Sequence, residues 1–109
     1  MPRTDHVRFQ QTVPALTGVT LQDVVPVKGR ITQVTVHFPN GCNALVDVAV
    51  LWKNTQVLPI SGFIALNDTT TAFPASTDVD RNDDLTVQIN NGDGANPHTI
   101  TVVVSVEEV

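Results

Sequence analysis

The sequence predicts an all-β fold, a single-domain antiparallel β-sandwich that is jelly-roll-like, with about eight strands and no substantial helix. The chain contains 19 valines and 14 threonines among 109 residues, and both residue types favour strands. Turn-forming Pro, Gly, Asn and Asp residues recur at short intervals, as in a sandwich of short strands. Between them, apolar and polar residues alternate with a period of two, a pattern that a helix would scatter around its surface. A chain of this length forms one domain.

The clearest alternation lies in residues 31–38, 85–90 and 99–106. A strand with this pattern turns one face to the core and the other to water. The core faces predicted for the three segments are Thr32, Val34, Val36 and Phe38, then Leu85, Val87 and Ile89, then Ile100, Val102, Val104 and Val106.

Residues 44–52 are apolar on both faces, which predicts a central strand that is covered twice. Trp52 shares the face of Val46, Val48 and Val50, so its ring is expected in the core. In a single sandwich the second cover has to come from a loop or from another subunit.

The remaining elements have weaker patterns. Residues 5–13 and 19–25 predict two polar-rich strands, 71–73 a short strand, and 57–66 an apolar stretch with no clean period. The Gly- and Asn-rich residues 90–97 predict a hairpin connection. We expect residues 1–14 to form an N-terminal arm or first strand and 15–109 the β-sandwich domain. An immunoglobulin-like sandwich is the competing arrangement, but its Cys…Trp…Cys pattern is missing.

Composition argues against several partners and locations. Six Lys and Arg against eleven Asp and Glu give a net charge of −5, which predicts no nucleic-acid surface. No run approaches the roughly 20 apolar residues that cross a bilayer, so no membrane partner is expected. The polar first six residues lack the apolar core of a signal peptide. We therefore expect a protein made in the cytoplasm.

Cys42 is the one candidate nucleophile considered. It would need a base such as His6, His37 or His98 within hydrogen-bond reach, and no motif brings one to it. We interpret it as a small apolar side chain tucked under a hairpin. No catalytic residue, no cofactor and no enzymatic activity are predicted.

The acidic run 78–84 is the only weak candidate for a metal site. Asp78, Asp80 and Asp84, with Asp93 as an additional candidate, offer oxygen ligands for calcium. The run departs from an EF-hand, because Asp83 stands where the turn-forming Gly belongs and Ile89 where the bidentate Glu belongs. A solvated turn, and no metal, is the favoured interpretation.

Some apolar side chains are left over once one small sandwich has closed. Such a surplus on a domain without catalytic groups is typical of association. The predicted interface residues are Leu45, Leu51, Leu58, Ile60, Phe63 and Ile64. The alternative is that residues 67–74 fold back as a loop and cover them within one subunit.

A resemblance supports association. Four segments, VHFPNGCNALV (36–46), LPISG (58–62), DLTV (84–87) and PHTI (97–100), resemble small β-sandwich proteins of tailed bacteriophages. That resemblance implies a structural virion protein, a capsid decoration protein or a tail or connector accessory. Such a protein forms homo-oligomers, and its partner is a larger protein shell such as a major capsid protein.

Two other functions stay open at this point. A carbohydrate- or calcium-binding module of a receptor-binding assembly is the main alternative. A subunit of an extracellular filament assembled by strand exchange is the other, although the absent export signal argues against it.

Overall fold

The computed structural model describes residues 4–53, 55–58 and 64–108. Its eight strands are β1 (Thr4–Val13), β2 (Thr17–Val24), β3 (Gly29–Phe38), β4 (Val46–Trp52), β5 (Thr55–Leu58), β6 (Thr69–Val79), β7 (Asp84–Asn91) and β8 (His98–Glu108). No helix of the described chain could span a membrane.

The strands form two four-stranded antiparallel sheets, ordered β1-β8-β3-β6 and β2-β7-β4-β5. The first strand pairs with the eighth, the second with the seventh, the third with the sixth and the fourth with the fifth. Successive pairs alternate between the two sheets. This is the arrangement that results when one long antiparallel hairpin folds over into two packed sheets. The predicted jelly-roll sandwich is therefore confirmed.

The core lies between the sheets and is built mainly from the inward residues of β3, β4, β7 and β8. Its largest fully buried side chains include Phe38, Ile31, Leu85, Ile89, Ile100, Val13, Val25, Val34, Val36, Val46, Val48 and Val50. The inward valines Val87, Val102, Val104 and Val106 are equally buried. The predicted core faces of β7 and β8 are confirmed. Each of these side chains contributes about 1.5–3 kcal/mol relative to an exposed position.

The core face of β3 differs from the prediction at its first position. The pairing of β3 with both neighbours shifts between Ile31 and Gln33, so Ile31 is fully buried and Thr32 is only half-buried. A β-bulge adds one residue to a strand and resets its alternation. Beyond it, Val34, Val36 and Phe38 point inward as predicted.

The stretch from Asn67 to Pro74 is not a covering loop, and the predicted short strand 71–73 is much longer. Strand β6 runs for 11 residues and contains Pro74. Proline cannot donate to a ladder, but β6 is the outer strand of its sheet, where one missing donor is tolerated.

Residues 92–97 do not form the predicted hairpin. They join β7 to β8, which belong to different sheets, so the connection crosses from one sheet to the other. The same holds for residues 39–45 between β3 and β4. Residues 4–13 of the N-terminal segment pair along their whole length with β8 of the same chain, which is the first-strand arrangement rather than a free arm.

Candidate functional site

Three connections meet at one end of the elongated sandwich, whose extents are 46 × 23 × 22 Å. Thr17 and Val46 are both Cα partners of Asn91, so β2 and β4 start where β7 ends. The connections 14–16, 39–45 and 92–97 therefore lie side by side. We call this end the leucine tip, after Leu16 and Leu45.

The two leucines are the largest exposed apolar feature of the tip. Leu16 is 74% exposed and Leu45 is 45% exposed. Each immediately precedes a strand that pairs with β7, so they leave the sheet on either side of Gly92. Their backbones are two strand spacings apart, roughly 10 Å.

The backbone holds both leucines firmly. The N–H of Leu16 donates to the carbonyl of Asp93 at 3.1 Å, and the N–H of Gly92 donates to the carbonyl of Leu45 at 2.7 Å. Leu16 has a φ of 54°, a left-handed conformation that costs a residue with a bulky side chain about 1–2 kcal/mol. Strain of this kind persists only where the surrounding structure fixes it, and it concentrates at functional positions.

Asn91 supports the tip from below. Its side chain is 2% exposed; Nδ2 donates to the carbonyls of Val13 and Asn96, both at 3.0 Å, and Oδ1 accepts from the N–H of Asp93 at 2.9 Å. One buried amide at the end of β7 thus links the end of β1 to the β7–β8 connection.

Asp93 and His98 form a buried side-chain pair beneath the tip. His98 Nε2 lies 2.8 Å from Asp93 Oδ2, and Asp93 Oδ1 accepts from the N–H of Ala95 at 2.9 Å. The bond from the Ala95 N–H, followed by that from His98, holds the pKa of the Asp93 carboxyl below its usual range. The pair fixes the shape of the β7–β8 connection.

Asn67 stabilises the β3–β4 connection through two hydrogen bonds. Its Oδ1 accepts from the N–H groups of Gly41 and Asn43, at 3.0 and 2.9 Å. Asn43 and Ala44 have φ values of 48° and 60°, so the backbone approaches Leu45 through two left-handed residues. The exposed position of Leu45 is thereby set by specific bonds.

Cys42 belongs to this end but is not accessible. Its side chain is fully buried in the core. Burial raises the pKa of the Cys42 thiol, and the negative charge of Asp93 raises it further. A nucleophilic cysteine requires the opposite shift. The nearest histidine along the chain, His37, instead bonds to Thr70 Oγ1 at 2.7 Å.

The four predicted interface residues that the structure describes, Leu45, Leu51, Leu58 and Ile64, lie in different environments. Leu45 is exposed at the tip, while Leu51 is half-buried on β4. Leu58, at 8% exposure, belongs to the sandwich's own core, so it is not available to another chain. Ile64 is half-buried against that core and pairs with Val48. Ile60 and Phe63 lie outside the described residues.

The acidic candidates for a metal site do not come together as one group. Asp78 Oδ1 pairs with Arg30 Nε at 3.1 Å, and Asp93 lies at the opposite end of β7 from Asp84. Within the described ranges, no three His, Cys, Asp or Glu side chains are grouped so that they could hold a metal ion. Asp93 is thus separated from the other three acidic candidates by the length of β7.

Two features of the tip were missed by sequence reasoning. Leu16 follows Pro14 and Ala15 in a predicted turn, and a large apolar residue in so short a turn is the signal that could have identified it. The Asp93–His98 pair has no such signal, because it depends on where the connection crosses between sheets.

Comparison with known proteins identifies the fold and nothing narrower. No protein-family model matches the sequence, and no curated protein matches it. The mitogen YPM from Yersinia pseudotuberculosis is a similar solved structure, with 11% identity, a TM-score of 0.54, and coverage of 97% of this chain and 87% of that chain. A chain in the structure of infectious bursal disease virus, Gx strain, is also similar, with 8% identity, a TM-score of 0.52, and coverage of 98% of this chain and 32% of that chain.

Proposed function

We propose that this chain is a non-enzymatic structural protein of a virion, a phage capsid decoration protein that binds a larger protein shell through the leucine tip. The observation that carries the proposal is the pair of exposed leucines, Leu16 and Leu45, held in a fixed geometry. An apolar pair of this kind is suited to a partner surface, because its backbone is already held by hydrogen bonds and little loop ordering opposes binding.

The size of the tip sets how it would work. The exposed surface of the two leucines together slightly exceeds that of one whole leucine residue. Its burial contributes about 2–3 kcal/mol of transfer free energy. One such contact is too weak to hold a complex, since micromolar affinity requires about 8 kcal/mol. Several tips acting together gain affinity through their high effective concentration. The proposal therefore includes homo-oligomers, or arrays, in which many copies share one shell.

The buried chemistry supports a role without catalysis. Cys42 is enclosed and its thiol pKa is raised, and the Asp93–His98 pair is occupied in holding a connection. The chain from infectious bursal disease virus supports the proposal in one respect: it shows this fold in a virus structure. On this proposal the protein is made in the host cytoplasm and resides in the virion.

Mass spectrometry of gradient-purified particles from cells that carry the gene tests the proposal. We expect the chain to be present in many copies per particle and to remain attached through a second gradient. Its absence from particles, with the chain abundant in the soluble fraction, would refute the assignment.

A matched pair of variants tests the role of the tip. Leu45→Asn should reduce the number of attached copies. Val24→Asn changes another exposed apolar residue, 43% exposed, at the far end of the sandwich and should leave attachment unchanged. Equal effects of the two variants would contradict attachment through the tip.

A further inference from the structure

A groove with a volume of about 470 Å³ lies at the end of the sandwich opposite the leucine tip. It is lined by residues 28–30 at the start of β3, by Trp52 and Lys53 at the end of β4, and by residues 78–80 at the end of β6. This volume is typical of a site for a small molecule. All the lining residues belong to the described part of the chain.

The aromatic ring in the groove is fixed. Trp52 Nε1 donates to Asp83 Oδ2 at 2.9 Å, and the same oxygen accepts from the N–H of Asp80 at 2.8 Å. Asp83 is only 9% exposed, so both bonds are sheltered from water. The sequence predicted the Trp52 ring in the core, whereas the residue is half-buried, packs against the core from outside and lines the groove.

Three cationic residues, Lys28, Arg30 and Lys53, line the groove. Two of them are paired with carboxylates: Arg30 Nε lies 3.1 Å from Asp78 Oδ1, and Lys53 Nζ lies 3.5 Å from Asp83 Oδ1. Lys53 Nζ also lies 5.5 Å from the centroid of the Trp52 ring. Lys28 is therefore the cation that can best hold one anionic group of a ligand.

The groove also presents hydrogen-bond acceptors. Asp78 and Asp80 stand on its β6 side, and Asp78 also pairs with Arg30 at 3.1 Å. Carboxylates accept bonds from hydroxyl groups, but they repel a ligand that carries only negative charge. A ligand that suits all of these groups has one anionic group, several hydroxyls and a flat apolar face.

We propose that this groove binds an acidic saccharide, a sugar with a carboxylate group such as a uronic acid. The C–H face of the pyranose ring would lie on Trp52, the carboxylate beside Lys28, and the hydroxyls on Asp78 and Asp80. Since the groove is at the opposite end from the tip, saccharide binding and attachment to a shell are compatible and can be tested separately.

The fluorescence of Trp52 gives a direct assay, because the chain has one tryptophan and no tyrosine. Titration with methyl glucuronide, a single pyranose ring with one carboxylate, should change the emission with saturation, with a dissociation constant between about 10 µM and 1 mM. Methyl glucoside, which is neutral, and inorganic phosphate should produce no saturable change. An equal response to phosphate would replace the saccharide with a simple anion site. No response to methyl glucuronide up to about ten times that range would overturn the proposal.

Charge variants assign the binding to the groove. Lys28→Gln should weaken methyl glucuronide binding about tenfold, the usual effect of removing a charge-assisted hydrogen bond. Arg81→Gln is the matched control, since it removes the same charge from a separate depression at the same end of the sandwich. Equal weakening by both variants would show that only net charge matters and would refute a defined site.

Discussion

Replacing Leu16 with asparagine should separate the stability of this chain from its ability to associate. Leu16 has a φ of 54° and is 74% exposed. The left-handed conformation costs about 1–2 kcal/mol for most L-residues, whereas asparagine adopts it readily. The substitution removes only the quarter of the leucine side chain that is already buried, about 0.5 kcal/mol.

Leu16→Asn should therefore leave the free energy of unfolding unchanged or raise it by up to about 1 kcal/mol. Such a rise corresponds to about 4 °C in the melting temperature. Association should weaken, because each tip loses about 1–2 kcal/mol of apolar contact, roughly a tenfold effect at each contact. Urea denaturation measures the first quantity, and co-sedimentation with particles measures the second.

Val24→Asn provides the control, since it changes an exposed apolar residue away from the tip and should leave association unaltered. The reasoning fails if Leu16→Asn destabilises the chain by more than about 1 kcal/mol. That result would mean that Leu16 packs within its own chain. It also fails if the variant associates as strongly as the wild type.

Three further predictions concern the body of the sandwich. The pKa of Asp83 is lower in the folded chain than in the unfolded chain. Its ionised carboxyl therefore stabilises the fold fully above about pH 4, and this stabilisation is lost as the pH falls through the folded-state pKa. Asp83→Asn should lower the free energy of unfolding at pH 7 and flatten its pH dependence below pH 4, as measured by urea titrations. Cys42 should react with Ellman's reagent far more slowly in the folded chain than in urea, because it is buried and its pKa is raised; equal rates would contradict the burial. Gly29→Ala should strongly destabilise or prevent folding, as a Cβ there would collide with the carbonyl oxygen of Glu107; a melting temperature within a few degrees of wild type would refute this.

Local patterns in the sequence were sufficient to predict the fold class, because the alternation in β7 and β8 depends only on which side chains are apolar. They could not predict the bulge at Ile31 or the length of β6. Both depend on which strands are neighbours: the bulge adjusts β3 to β6 and β8, and Pro74 is tolerated because β6 ends its sheet.

The tip was less predictable than the fold for the same physical reason. Residues 92–97 have the composition of a hairpin turn, yet they cross between the sheets because the strands they join, β7 and β8, pair in different sheets. The left-handed backbone at Leu16 and the burial of Asp93 beside His98 arise from that crossing. Leu45 was identified from the sequence as a surplus apolar residue, whereas Leu58 was not distinguishable from a core residue until the sheets were placed.

Hydroxyl-radical footprinting of the chain, free in solution and bound on purified particles, is the most direct test of an apolar tip that contacts other polypeptides. Oxidation of Leu16 and Leu45 should be strong in the free chain and largely suppressed on the particle, with Val24 equally reactive in both. Unchanged oxidation of the two leucines on the particle, together with protection elsewhere, would contradict the account.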